Sequence, residues 1–355
     1  MIKTYVLVLL LKTSLQCTVP TFEKNRIYVN GHHGVDTQII SGCISPDTIR
    51  FKGITEITVD KQNIPDLNYG AVQGISTKFR ISFVNTSIEI IREGAFLNLP
   101  KLERIYFRDN DLFWIGENAF QDLPSLTAVI MNFNKITELS PRAFSNLPHL
   151  TEVSFHKNNL ENFDQSWFYK TPLLRFLTVS HNRLRKITRG AFITLPAIEK
   201  IYFGNNEIEF VDKDAFKGLR HLESLNLGQN KLKKFDFNFY TPSKLRDVYF
   251  QYNNITYISD EMLDVLGPTL LSLYISGNPL QCACLDKIIQ WSDALEISVP
   301  QLKSPQSGAG AVCTLPKTKP SQCLERRDYD FQEGFSVGFT PLKPIPSYIF
   351  TDHHH

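Results

Sequence analysis

The sequence is short of most things that would announce a chemistry or a membrane. It has no surplus of charge: 38 Lys+Arg stand against 36 Asp+Glu, a formal net of +2, so its balance announces no nucleic acid or other polyanion. No later stretch reaches the roughly 18 consecutive apolar residues of a membrane-spanning helix. There is no Gly-rich phosphate loop, no H-E-x-x-H and no G-x-S-x-G, so the common signatures of enzyme chemistry are missing. No catalytic residue, cofactor or metal is assigned. Collagen-like and low-complexity readings fail on 18 Gly and 19 Pro. What is present is enough to fold, since 42% of the 355 residues are hydrophobic and 21% charged. Disorder is thereby excluded as the dominant state. Phenylalanine is the exception to this plainness, at 26 residues beside only 3 Met. A systematic use for it has to be found.

The N-terminus reads as a secretory signal over residues 1–17, with Lys3 as the positive end and Tyr5 to Leu11 as the apolar core. At about seven residues this run is too short for a bilayer, which needs roughly 20. Ser14 and Gln16 fit the −3 and −1 positions, leaving Cys17 first; cleavage after Cys17 itself fits as well. The end of the chain, 326–355, carries Pro341, Pro344 and Pro346 among scattered aromatics and is expected to be a flexible tail. It lacks the apolar run of a lipid-anchor signal. His353, His354 and His355 are given no weight as a metal site. The expectation is a secreted, extracellular protein with no membrane span.

Self-similarity decides the architecture. Leu102, Ile105, Phe107, Asn110, Leu112, Ile115, Ala119, Phe120 and Leu123 return 24 residues later as Leu126, Val129, Met131, Asn134, Ile136, Leu139, Ala143, Phe144 and Leu147. The frame holds through units starting at Leu150, Leu174, Ile198 and Leu222, then continues at Leu245 and Leu270. Backwards it reaches Lys78 and Ile54, giving about ten units over 54–281. Ile105 and Phe107 are two apart, so both point to one face of a short strand, and Arg104, Tyr106 and Arg108 point to the other. No unit can bury its apolar face alone, so neighbours stack and their strands form one parallel sheet.

Two columns explain the rest of the pattern. Asn110, Asn134, Asn158, Asn182, Asn206, Asn230, Asn253 and Asn278 stand at the turn leaving each strand, where an amide can satisfy backbone groups of adjacent turns. Gln62 and Thr86 replace asparagine in the first two units, so the ladder is expected to be weaker there. Phe96, Phe120, Phe144, Phe168, Phe192 and Phe216 recur on the return segment and are expected to stack as a spine. Pro100, Pro124, Pro148, Pro172 and Pro196 end that segment and bar further helix.

The pattern L-x-x-L-x-L-x-x-N-x-L-x-x-L-x-x-x-A-F-x-x-L-P-x resembles the extracellular typical class of leucine-rich repeat over about two-thirds of the chain. The resemblance implies an α/β-repeat, leucine-rich-repeat solenoid: a curved array with a concave parallel β-sheet, an Asn ladder, a Phe spine, and loops or short helices on the convex side. Such an array needs caps. Residues 282–325 look like the cysteine-rich C-terminal flank of secreted members, with Cys282, Cys284, Cys313 and Cys323. Four cysteines allow three connectivities; the resemblance implies Cys282–Cys313 and Cys284–Cys323. Metal binding by the Cys-x-Cys pair is the alternative, set back by an oxidising compartment and the lack of a neighbouring histidine. Residues 18–53 form the N-terminal cap, where Cys17 and Cys43 remain. We expect them to pair; if cleavage removes Cys17, Cys43 is left to bridge to another chain.

Function on such a scaffold belongs to the outward side chains of the concave sheet. We assign ligand binding there to Tyr106, Arg108, Phe133, His156, Phe176, Tyr202, Tyr249 and Tyr252, since aromatic residues and Arg are enriched in protein recognition. The bland reading is that strands favour Tyr and Phe anyway. His156 and His181 fall on adjacent units, which is more often solvated surface than a pH-sensitive or metal site. The carboxylates of Glu152 and Asp247 lie four units apart, too far for paired acid–base work. Asn85 and Asn254 head glycosylation sequons. A glycan on Asn85 would occlude the N-terminal part of the concave face. The resulting expectation is a secreted, non-enzymatic binding protein holding an extracellular protein, receptor or glycan. The resemblance, which extends to Toll-type receptor ectodomains and insect adhesion proteins, implies innate immune recognition or cell-surface and matrix interaction. An inhibitor or carrier capturing an enzyme or toxin is the alternative.

Overall fold

The computed structural model describes residue 17, residues 19–32 and 34–300, and residues 313, 314, 316, 319 and 321–326 of the C-terminal flank. The expected leader (Cys17 apart) and tail (Arg326 apart) lie outside the described residues.

One sheet of twelve strands organises the chain. Its strands are β1 Phe22–Gly31, β2 Gly34–Gly42, β3 Ile54–Asp60, β4 Phe79–Val84, β5 Leu102–Arg108, β6 Ala128–Ile130, β7 Glu152–Ser154, β8 Phe176–Thr178, β9 Lys200–Tyr202, β10 Ser224–Asn226, β11 Asp247–Tyr249 and β12 Ser272–Tyr274. From β3 to β12 they run parallel in sequence order, one per repeat. The register follows the repeat, so Ile105 pairs Val129 and Val129 pairs Val153. The one-residue shortening before Leu245 is absorbed without a slip, because Leu225 still pairs Val248. Alternation along each strand buries Ile105 and Phe107 completely and leaves Tyr106 half-buried on the other face.

Each parallel strand from β3 to β12 ends on the same backbone device. Lys61, Asn85, Asp109, Phe133, Lys157, His181, Asn205, Gln229 and Tyr252 all have φ between +49° and +58°, and Gly277 has +70°. The left-handed conformation costs a non-glycine residue roughly 1–2 kcal/mol, so something must hold it in place. The asparagine that follows does so. Asn182 Nδ2 donates to Phe155 O of the preceding repeat at 2.8 Å, and its Oδ1 accepts from Leu160 N at 2.9 Å. Asn206, Asn230, Asn253 and Asn278 repeat both bonds one unit on each time. Thr86 breaks the pattern by turning its hydroxyl forward, to Asn110 Oδ1 at 2.7 Å. Gln62 is diverted to the cap, where its Oε1 accepts from Arg26 N at 3.1 Å.

The return side differs from expectation. Its regular elements are mainly two-residue parallel strands, such as Phe120–Gln121, Phe144–Ser145 and Phe168–Tyr169. Spacing of 24 residues stacks these segments as closely as the main strands, and backbone pairing leaves little for a helix to satisfy. Among the described repeats the only α-helix is α1, Asp260–Leu266. The spine is also discontinuous. Phe96, Phe120, Phe144 and Phe168 stack at 5.1 to 5.5 Å. Phe192 then stacks on Phe163 at 5.2 Å rather than on Phe168, and the stack resumes to Phe216 at 5.8 Å. Trp167 occupies the place where other units carry alanine, in a short 3₁₀ turn over Gln165–Trp167. Its bulk explains the detour, since Phe163 meets it edge-on at 5.4 Å.

Both ends are capped differently. At the N-terminus β1 and β2 form an antiparallel hairpin, and β1 pairs antiparallel with β3, so the cap prolongs the sheet. Cys17 is bonded to Cys43, with Cα atoms 5.5 Å apart. At the C-terminus α2, Cys282–Ala294, buries Leu285 and Ile288 against the last repeat. Cys282–Cys313 and Cys284–Cys323 are disulfides, so these thiolates do not hold a metal. Ser298 covers the outer edge of β12, accepting from Leu273 N at 2.9 Å and donating to Leu271 O at 2.9 Å.

Candidate ligand-binding face

The outward column of the sheet is continuous across the N-terminal cap. Thr37, Tyr28, Thr58, Ser82, Tyr106, Ile130, Ser154, Thr178, Tyr202, Asn226, Tyr249 and Tyr274 are successive cross-strand partners. Neighbours in this row are about 4.8 Å apart. The side chains assigned from sequence separate into three groups along it.

The first group is cationic and aromatic. Phe133 is 36% exposed, an unusual state for a phenylalanine here, and it is held by its neighbours. Lys157 Nζ lies 4.6 Å from its ring centre and the Arg108 guanidinium 5.5 Å. His156 meets the ring edge-on at 5.7 Å, and His181 meets His156 at 4.8 Å. The φ of +58° at Phe133 aims this side chain from the turn rather than from the strand. Burial, and then the Lys157 charge, hold the His181 imidazole below its ordinary pKa. It is therefore neutral at pH 7. Asn132 Oδ1 braces the group by accepting from Ser154 Oγ at 2.7 Å and His156 N at 3.0 Å.

The second group surrounds Phe176, with the Arg175 guanidinium 5.4 Å and Lys200 Nζ 5.3 Å from its ring. Arg175 is itself fixed by a paired contact to Glu199, at 2.7 and 2.8 Å. Tyr106 stands apart, accepting from Arg104 Nη1 at 3.4 Å.

The third group is tyrosine-rich. Tyr249 stacks on Tyr274 at 4.4 Å with planes 12° apart. Burial first, then Asp247 and the two neighbouring tyrosines, push the Tyr249 hydroxyl above its ordinary pKa, so it remains protonated. Tyr202 lies two strands away in the same row. Between them Gly204 and Gly228 remove two side chains from the next column. A Cβ at Gly204 would sit 2.8 Å from Asn226 Oδ1, and one at Gly228 would sit 2.7 Å from the Gln251 amide. Asn226 and Gln251 therefore occupy the space that side chains at Gly204 and Gly228 would take. Gln251 Oε1 is buried without a hydrogen-bond partner among the described residues. Tyr252, at φ +56°, rises from the adjoining turn.

Sequence reasoning missed Lys157, Arg175 and Lys200 as members of these groups, although each belongs to a repeating column. Asn85 and Asn254 are both exposed. Glu152 and Asp247 are held apart by β8, β9 and β10. Among the described residues no three His, Cys, Asp or Glu side chains gather to hold a metal. No helix among them is long and apolar enough to cross a membrane.

Comparison with known proteins agrees with this architecture. A "Leucine rich repeat" family model matches residues 177–232, and a "BspA type Leucine rich repeat region (6 copies)" model matches residues 76–193. No curated protein matches the sequence. The structure is similar to the leucine-rich repeat domain of APL1B, at 20% identity and TM-score 0.53, over 66% of this chain and 65% of that one. It is similar to Toll in the Drosophila Toll–Spatzle complex, at 18% identity and TM-score 0.54, over 64% and 32%. It is also similar to the mouse RP105/MD-1 complex, at 15% identity and TM-score 0.52, over 76% and 50%. The chain thus spans about a third to two-thirds of the length of these matches. At such identities the likeness carries the fold and no more.

Proposed function

We propose that this leucine-rich-repeat protein is a secreted, non-enzymatic binder that holds a protein ligand across its concave sheet, in innate immune recognition or cell-surface interaction. The observation carrying this reading is the character of the face itself. From Arg108 to Tyr274 it presents rings steadied by cations and by one another, on strands whose other face is fully committed to the core. Rigid aromatic rings and Arg are what protein interfaces concentrate at their centres. They lose little side-chain freedom on binding when neighbours already fix them. Three disulfides support an oxidising, extracellular setting. Toll and RP105, which share the fold, were each solved with a protein partner, and this supports the class of ligand.

The test is proximity labelling by the secreted full chain on its own tissue, read by mass spectrometry, against the Tyr202→Arg/Tyr249→Arg double variant. A partner captured by the native chain and lost in the variant places the ligand on the concave face and names its class. A partner that both chains capture equally moves binding off this face and overturns the reading.

A further inference from the structure

The two ends of the sheet are treated unequally. At β12 the outer backbone groups are occupied by Ser298. At the other end β2 is the last strand, and among the described residues it pairs only with β1. Natural edge strands are protected by lysine, proline, a bulge, or by being very short. β2 is weakly protected: its one charged side chain is Asp36, and the register irregularity it shares with β1 lies at its end, between Ile40 and Gly42. Its nine residues, Gly34-Val-Asp-Thr-Gln-Ile-Ile-Ser-Gly42, contain no lysine and no proline, and its register with β1 is unbroken from Gly34 to Ile40. Val35 and Ile39 stand on its open face, 68% and 73% exposed.

The pairing with β1 says which backbone groups are free. Gly31 and Gly34 flank a two-residue turn, so they exchange hydrogen bonds, as does every second pair after them. Gly34, Asp36, Gln38 and Ile40 therefore direct their backbone groups to β1. Val35, Thr37 and Ile39 direct theirs outward.

This strand is complementary to itself. Laid antiparallel on a second copy with Thr37 on the two-fold axis, Thr37 opposes Thr37, and Val35 opposes Ile39 twice. All three pairs use the outward backbone groups, giving about six inter-chain hydrogen bonds. The side chains match too. Val35 packs on Ile39 on one face, and on the other Asp36 opposes Gln38, a pair that already bonds within one strand at 2.8 Å. No like charges are opposed, and a chain net of +2 adds little repulsion between copies. We propose that β2 is a homodimerisation edge, joining two copies through antiparallel β2–β2 pairing centred on Thr37, so that two concave sheets become one. The pairing is isologous, as a closed dimer requires. A strand edge alone buries less than the roughly 1,200 Å² of stable interfaces, so the dimer is expected at micromolar concentrations and above.

The test is sedimentation velocity of the full secreted chain from about 1 to 100 µM. The expected result is a concentration-dependent monomer–dimer equilibrium. Thr37→Pro removes an outward N–H that β1 does not use, and Val35→Lys/Ile39→Lys places charges on an already solvated face; each should leave the monomer at every concentration. Unchanged melting temperature of the lysine variant shows that the fold survives. Thr37→Cys should cross-link to its own copy, because opposed residues lie about 5.5 Å apart between Cα atoms. Val35→Cys should cross-link only when mixed with Ile39→Cys. A native chain that is monomeric at 100 µM overturns the proposal, as does a dimer that survives both Thr37→Pro and the lysine pair. Pairing of β2 with a different protein while the chain itself remains monomeric also overturns it.

Discussion

The rings of Tyr249 and Tyr274 lie face to face, 4.4 Å between centres and 12° from parallel, on neighbouring strands that are 25 residues apart in sequence. Stacking fixes both rings before any ligand arrives. Tyr249→Ala removes one ring and frees the other, and we expect it to weaken ligand binding by about 30-fold, the loss of a hot-spot residue. Tyr249→Phe keeps the stack and should lose far less. Tyr169→Ala is the matched control on the return side, where that ring is covered by Arg142 at 4.9 Å. Titration calorimetry with the captured partner checks all three.

Asn182→Ala should lower stability by about 3 kcal/mol, because it leaves Phe155 O and Leu160 N buried without their partner. The left-handed residue at His181 loses its brace at the same time. Chemical denaturation of the native and variant chains measures the difference. A shift below about 1 kcal/mol would mean that water enters and replaces the amide.

Acidification should destabilise the first group on the concave face. The folded-state pKa of His181 is depressed by burial and by Lys157, so the unfolded chain binds the proton more readily. Stability from this residue is complete above about pH 6.5 and falls as pH drops through the lower folded value. His181→Asn removes the titration and suits the φ of +58°. Melting temperatures at pH 7 and pH 5 should fall less in the variant than in the native chain.

Phe144 sits between Phe120 and Phe168 at 5.1 and 5.2 Å and is completely buried. Phe144→Ala should cost about 4 kcal/mol through the cavity it opens. Each repeat rests on its neighbours, so amide exchange should quicken in the adjoining repeats as well as at the substituted one. Faster exchange in the substituted repeat and the two that flank it, with protection unchanged farther away, is the expected pattern by mass spectrometry.

The 24-residue period determined most of the fold by itself. In a solenoid, residues one period apart become nearest neighbours, so a column in the sequence is a row in the structure. That is why the strands around Ile105 and Phe107, the ladder through Asn182 and most of the phenylalanine stack were legible. The candidate side chains were also legible as a face, since period-2 alternation sends Tyr106, Tyr202 and Tyr249 away from the core. What only the tertiary structure decided lies between columns or outside the period. Lys157 reaches Phe133 because a left-handed turn swings both off the strand, and no periodic rule for strands describes that turn. Phe163 enters the spine because Trp167 displaces its neighbours, a matter of volume rather than of pattern. The cap continues the sheet because β1 pairs antiparallel with β3, a non-repeating contact with no second example in the chain from which to read it.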